Sequence, residues 1–332
     1  MAGYPRGRFR RLRSSEALRA MLAETKLSVR DLVVPLFVRE GTGVQSEIPS
    51  MPGQYQHSVD TAMETVKRLS DALIPAVLLF GIPETKDAEG SAAWDLSAPV
   101  QRLCAEIKSH CPDMLVITDV CLCEYTDHGH CGVLASKANG SNDVDNDATL
   151  ELLAKIAVSH AQSGADLVAP SAMMDGQVTT IRQALDAVGA IGTGIMSYSV
   201  KFASSLYGPF RDAAESPPKF GDRKTYQMDF ASCRQAFGEA QADIDEGADI
   251  IMVKPAATYL DLISDIRRRF DEPLAAYHVS GEYAMIKAAA QAGWLEEKAA
   301  AIEITSAIKR AGADIIITYF AEQLADWLQD SQ

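Results

Sequence analysis

"GADIIMVKP", residues 247 to 255, holds most of the fold argument in nine positions. Gly-Ala-Asp closes a helical pattern, and glycine is the residue a helix end places in the left-handed conformation. Four apolar residues follow without alternation, the pattern of a parallel strand covered on both faces rather than of one with a wet side. The run then stops on Lys254 and Pro255. Gly-Ala-Asp recurs at 164 and 312, each time ending a helical pattern and opening another apolar run, so one αβ turn is used three times.

Working outward, eight such runs appear: "LVVPLFV" (32 to 38), "PAVLLFG" (75 to 81), "LVITDVC" (115 to 121), "DLVAPS" (166 to 171), "GIMSYS" (194 to 199), "DIIMVKP" (249 to 255), "LAAYHVS" (274 to 280) and "DIIITYF" (314 to 320). Stretches such as "TLELLAKIAVSHAQSG" (149 to 164) and "AAAIEITSAIKRAG" (299 to 312) carry apolar residues at helical spacing between them. Eight βα units predict a (β/α)8 TIM barrel over residues 31 to 332, preceded by an N-terminal arm over 1 to 30. A doubly wound open sheet is the alternative, because periodicity does not fix closure. Residues 123 to 147 and 200 to 228 are longer than linking requires, and both follow the carboxyl ends of strands, where barrel enzymes build their sites.

Hydrophobic residues at 47% and charged ones at 23% describe a globular chain with ample core. No run of about 18 apolar residues and no apolar leader segment occurs, so a cytoplasmic protein without a membrane span is expected. Six cysteines in 332 residues, unevenly spaced, argue against a disulfide framework. The net charge of −14 hides an asymmetry, because Arg6, Arg8, Arg10, Arg11 and Arg13 stand among the first thirteen residues with no acid, leaving the body more acidic still. An acidic body repels phosphate backbones, which excludes nucleic acid as a partner, whereas a basic arm suits the acidic surface of a second subunit. An Arg-rich, acid-poor start also fits a transit peptide.

"DVCLCEYTDHGHCG" (119 to 132) sets Cys121, Cys123 and Cys131 within eleven positions. Three thiolates converging on one zinc ion would leave a fourth position for water or substrate, the mark of a catalytic rather than a closed site, although His128 and His130 are also eligible as fourth ligands. "DVDND" (143 to 147) lacks the glycine and the final glutamate of a calcium loop, and Asp147 is expected to cap the following helix. Lys254 ends a strongly apolar strand, where burial penalises its ammonium and frees an amine able to form a Schiff base; a lysine paired with an acid is the plain reading. Lys201 lies just past the fifth strand, and in a barrel strands five and six are neighbours, so two cations would depress each other's pKa. Arg211 and Arg223 in the long loop suit a carboxylate, and Ser280 and Tyr319 bring hydroxyls to the same rim.

The cysteine cluster, "SYSVKFASSLYGPFR" (197 to 211), "GDRKTYQMD" (221 to 229), "MVKPAATYLD" (252 to 261), "VSGEYAMIKAA" (279 to 289), "MPGQYQHSVD" (51 to 60) and the arm "YPRGRFRRLR" (4 to 13) together resemble the porphobilinogen synthase family, also called 5-aminolevulinate dehydratases. The likeness runs nearly end to end, and it reads the basic start as the family's arm rather than a transit peptide. It implies a TIM barrel that condenses two molecules of 5-aminolevulinate to porphobilinogen with loss of two waters, on the way to haem. It further implies that Lys254 forms the Schiff base to the first substrate and Lys201 serves as the second active-site lysine. Ser280 and Tyr319 would hold the first substrate's carboxylate, and Arg211, Arg223 and Gln227 would surround the second substrate. Asp119 and Ser171 would be polar site residues, and Cys121, Cys123 and Cys131 the ligands of a catalytic zinc. Glu239 matches the glutamate of an allosteric magnesium site in many bacterial members, although its neighbour Gly238 departs from the larger polar residue common there. The family implies a homo-octamer embraced by the arms. A lysine-dependent class I aldolase is the enzymatic rival and a non-catalytic zinc-binding protein the other; neither accounts for thiols, lysines and loop arginines together.

Overall fold

The computed structural model describes residues 7–137 and 142–329, so Arg6 of the basic start lies outside the described residues. Eight parallel strands form one sheet: β1 Leu32–Arg39, β2 Ala76–Ile82, β3 Leu115–Val120, β4 Leu167–Pro170, β5 Gly194–Lys201, β6 Ile250–Lys254, β7 Leu274–His278 and β8 Ile315–Thr318. Leu32 pairs with Ile316 and Val33 with Ile317, which joins β8 to β1 and closes the barrel. The open-sheet alternative is thereby excluded. Every residue of β2 and β7 is buried, as continuous apolar runs require when helices cover the outside and side chains fill the inside. The helix Val59–Asp71 shows the matching outer pattern, burying Val59, Ala62, Met63, Val66 and Leu69 at helical spacing.

The three Gly-Ala-Asp turns do what their composition predicts, and more. Gly164, Gly247 and Gly312 have φ of 102°, 104° and 127°, a region where a side chain is strained. The aspartate that follows then clasps the preceding strand twice. The Asp166 amide donates to the Val116 carbonyl while its carboxylate accepts from the Val116 amide at 2.7 Å. Asp249 does the same to Ile195 (2.7 Å), and Asp314 to Leu274 (2.9 Å). Each turn therefore fixes the start of one strand against the next at the amino-terminal end of the barrel.

Three local features differ from the sequence reading. The helix after the thiol loop spans Asn146–Gln162 and is capped by Asp145, whose carboxylate accepts from the Ala148 amide, while Asp147 sits in the first turn. Both residue types cap well, and the extended backbone of residue 145 decides between them. The long connections carry structure of their own: a hairpin of Leu134–Ser136 with Asn142–Val144 in the first, and a short helix Gly208–Ala213 in the second. A second small hairpin, Gln45–Glu47 with Tyr55–His57, extends the sheet beside the end of β1. Among the described residues of the arm, none from 7 to 31 is buried, and only its end, at Leu27 and Val29, packs against the barrel's core. None of the described helices is long and apolar enough to cross a membrane.

Candidate active site

The pairing of β5 with β6 brings the two lysines together. Ile251 faces Ser197, but Val253 faces Val200, so β5 carries one extra residue in this interval, a bulge. Side chains alternate along a strand, and the extra residue reverses the phase of the positions beyond it. Lys201 thereby pairs with Lys254 and shares its side of the sheet instead of pointing at the outer helices.

Lys254 is 5% exposed and has no ion pair among those formed by the described residues. Aromatic rings surround it instead, with centroids at 4.3 Å (Tyr277), 4.8 Å (Tyr198), 5.2 Å (Phe210) and 5.3 Å (Tyr207) from Nζ. Burial among these rings, and then the charge of Lys201, lower its pKa to about 7, so a large fraction is a free amine at neutral pH. The plain reading of a lysine neutralised by an acid is not what the geometry gives. Lys201 Nζ lies 5.4 Å from the Tyr198 ring on the other side and donates to the Ser171 carbonyl. The Ser171 hydroxyl donates to Asp119 at 3.0 Å, so β3, β4 and β5 are tied into one polar strip. Burial raises the Asp119 carboxyl to about 8, the charge of Glu124 adding to it and the two lysines opposing.

Across the mouth, Cys121, Cys123 and Cys131 are buried with their sulfur atoms within 4.8 Å of one another, close enough to hold one ion. Both histidines are committed elsewhere. His128 Nδ1 accepts from the His130 amide and its Nε2 meets the Ala88 carbonyl; the His130 ring meets the Tyr226 hydroxyl and the Phe220 carbonyl. The thiol set therefore keeps three protein sulfurs and no histidine. Hydrogen bonds from Cys121 and Cys123, with Arg223 facing it, hold the Cys131 thiol well below the usual thiol range. A carboxyl that the sequence reading passed over, Glu124, lies 3.3 Å from the Cys123 sulfur and completes a second donor group with Asp119 and Cys121.

The lid over 200 to 228 supplies the remaining groups. Arg223 is 5% exposed and donates to the carbonyls of Gly129 and Ser216, each at 2.8 Å, which locks the thiol loop to the lid. Gly129 must be glycine, since a Cβ there would meet the Pro217 carbonyl oxygen at 2.4 Å. Nε of Arg223, Nε of Arg211 and both amide atoms of Gln227 are buried without a partner. Unpaired donors this costly to bury, gathered on one loop, form a place for an anionic or carbonyl-bearing ligand. Ser280 and Tyr319 do reach the rim, but their hydroxyls are engaged: Ser280 accepts from the Phe210 amide at 2.9 Å, and Tyr319 shares a 3.0 Å hydrogen bond with Tyr277. Glu239 is apart from this mouth, on the helix Gln235–Asp245, lining a cleft with Asp175, Asp243 and Glu246.

A closed barrel with a low-pKa lysine beside a second lysine, three clustered thiols and a lid of unpaired groups defines a class: a barrel enzyme with a buried amine pair and a metal-competent thiol site at its mouth. The chain belongs to the delta-aminolevulinic acid dehydratase (porphobilinogen synthase) family of hydro-lyases, whose model matches residues 6–327. Among similar proteins, a delta-aminolevulinic acid dehydratase of Synechococcus elongatus is 53% identical over 98% of this chain and 99% of its own length. One of Bacillus subtilis is 52% identical over 97% of this chain and 98% of its own. A crystal structure of the Toxoplasma gondii ME49 porphobilinogen synthase, in complex with the reaction product porphobilinogen, superposes with a TM-score of 0.95 at 41% identity, covering 98% of this chain and 92% of that one.

Proposed function

We propose that this chain condenses two molecules of 5-aminolevulinate to porphobilinogen at the lysine–thiol mouth, with Lys254 forming a Schiff base to the first substrate. The observation that carries the reading is the pairing of Lys254 and Lys201 in one buried aromatic chamber, because a free amine near neutrality is what capture of a ketone requires. An iminium is a better electrophile than the ketone it replaces, and a site lined by Tyr198, Tyr207, Phe210 and Tyr277 keeps it from water. Lys201 lowers the Lys254 pKa by its charge and is a second amine for capture of the other substrate. Asp119 and Ser171 hold Lys201 and supply a carboxyl for moving protons. Arg211, Arg223 and Gln227 take the second substrate's carboxylate on their unpaired groups. Ser280 and Tyr319 take that of the first by exchanging their present partners for it.

The donor set of Cys121, Cys123 and Cys131 fits a thiophilic divalent ion such as zinc, since three sulfurs without a histidine leave a position free. When bound, such an ion would act as a Lewis acid that orients the second substrate. Glu239, with Asp175, Asp243 and Glu246, offers oxygen donors for an allosteric magnesium ion. The arm, residues 1 to 30, would make further contacts on neighbouring subunits of a homo-octamer.

The test is formation of porphobilinogen from 5-aminolevulinate by protein as isolated, chelated, and resupplied with zinc, with borohydride trapping and peptide mapping in parallel. Product lost on chelation and regained with zinc is expected, with a reduced adduct on Lys254 formed in either state. An adduct elsewhere, or none from folded and metal-replete protein, overturns the Schiff-base assignment.

A further inference from the structure

Tyr198 enters the proposed chemistry only as a ring beneath the lysines. It is fully buried, 0% exposed, on β5, and the bulge that turns Lys201 inward sets both amines near its ring, at 5.4 Å and 4.8 Å from its centroid. Its hydroxyl has no hydrogen-bond partner. Nearby, Asp119 Oδ1 is likewise buried and unpartnered, and the Tyr198 hydroxyl faces this carboxyl. A buried hydroxyl without a partner costs roughly 1–3 kcal/mol, and phenylalanine would fill the same space without that cost. The neighbouring rings lack this feature: Tyr277 bonds Tyr319 and Tyr207 bonds the Lys254 carbonyl. Of the three tyrosines around Lys254, only Tyr198 has an idle hydroxyl, and it is the one whose ring touches both lysines.

We infer that Tyr198 is a further catalytic residue, donating its hydroxyl proton to the ketone oxygen of the substrate captured by Lys254. This rests on the Schiff-base reading above and adds a group to it. As the amine of Lys254 adds to the ketone carbon, the C–O π pair moves to oxygen, which takes the Tyr198 proton. The surplus proton on nitrogen returns to the phenolate, leaving a neutral carbinolamine. The same proton then passes to the carbinolamine hydroxyl. Its C–O bond breaks, the nitrogen lone pair closes the C=N bond, water leaves, and the iminium proton restores the phenol. Ketone and amine give imine and water, with Tyr198 unchanged.

The experiment compares wild type with Tyr198→Phe in the full-length, metal-supplied protein. The rate of adduct formation is read by rapid mixing with 5-aminolevulinate and borohydride quenching, together with the solvent deuterium isotope effect on that rate, steady-state kcat and KM, and thermal unfolding without substrate. Removing one preorganised donor from a developing oxyanion typically costs a hundredfold to a thousandfold. A fall of that size in adduct formation is expected, with a diminished isotope effect, KM little changed, and thermal stability equal to wild type or higher. A structural role for the hydroxyl would instead lower stability and leave the adduct rate alone, and that outcome overturns the inference. Wild-type protein that forms no adduct would sink the Schiff-base reading itself. Wild type forming the adduct with Tyr198→Phe matching its rate would sink only the role of Tyr198.

Discussion

The two ends of the barrel put polar side chains to different uses. At the amino-terminal end, Asp166, Asp249 and Asp314 each close two hydrogen bonds onto the adjacent strand, and Asp166 and Asp314 add ion pairs with Lys108 and Arg267. At the carboxyl-terminal mouth, Asp119 Oδ1, the Tyr198 hydroxyl, both amide atoms of Gln227 and one nitrogen each of Arg211 and Arg223 are buried without partners. An unpaired buried group costs stability, and those around the mouth stand together where a ligand could satisfy them, unlike scattered ones such as the two ring nitrogens of His160. The same eight strands thus carry a stabilising rim and a reactive one.

The most severe way to probe that division is at the reactive rim. Lys254→Met removes the amine and its desolvation cost at once. Porphobilinogen formation is expected to fall by at least about a thousandfold, roughly 4 kcal/mol of transition-state stabilisation, while urea denaturation finds the fold intact or more stable. Unfolding of this variant would break the comparison, since Lys254 would then be serving the structure. Lys201→Met sharpens it further. The Lys201 charge is the second cause, after burial, of the low Lys254 pKa of about 7, so its loss leaves burial alone to oppose protonation. With that repulsion gone the ammonium form gains, and the pH dependence of adduct formation on Lys254 moves to higher pH. An unchanged profile would mean that the two amines do not sense each other.

At the stabilising rim the expectation reverses. Asp166→Ala leaves the amide of the buried Val116 without the carboxylate it donates to at 2.7 Å. Stability should drop by about 1–3 kcal/mol in urea denaturation, with kcat per folded molecule preserved. A loss of kcat without a loss of stability would show that the ends are coupled and the division too simple.

Much of this was legible in the sequence, for physical reasons that can be named. The strands were legible because burial on both faces forces unbroken apolar runs, and the turns because a left-handed helix end selects glycine. Lys254 and the thiols stood out as polar residues at the ends of such runs. Tyr198 did not, because an aromatic residue in a buried strand reads as core, and only a strand bulge, defined by pairing with a distant segment, brings Lys201 round to its side of the sheet. Glu124 was masked by its cysteines. The hairpins of three-residue strands were too short for periodicity to register, and Asp145 and Asp147 cap equally well until backbone geometry chooses.

The smallest expected effect lies at the amino-terminal end, in a turn that departs from its siblings. The helix Val59–Asp71 ends like those before the Gly-Ala-Asp turns, with the amide of Leu73 bonded to Ser70 and that of Ile74 reaching back to Leu69. Gly164 and Ala165 repeat that pair with Ala161 and His160, and Gly247 and Gly312 head the same motif. Leu73 holds the left-handed position with φ of 61° and 69% of its surface exposed. A non-glycine residue in this conformation costs roughly 1–2 kcal/mol, and an exposed side chain returns little packing to offset it. Glycine removes that strain but frees the unfolded chain, a loss of about 0.4–1 kcal/mol. Leu73→Gly should therefore raise stability by about 0.5 kcal/mol, seen as a shift of the urea midpoint with unchanged slope and unchanged kcat. A destabilised variant would mean that the exposed leucine makes contacts outside this subunit, and the turn would then belong to an assembly surface rather than to the barrel's own rim.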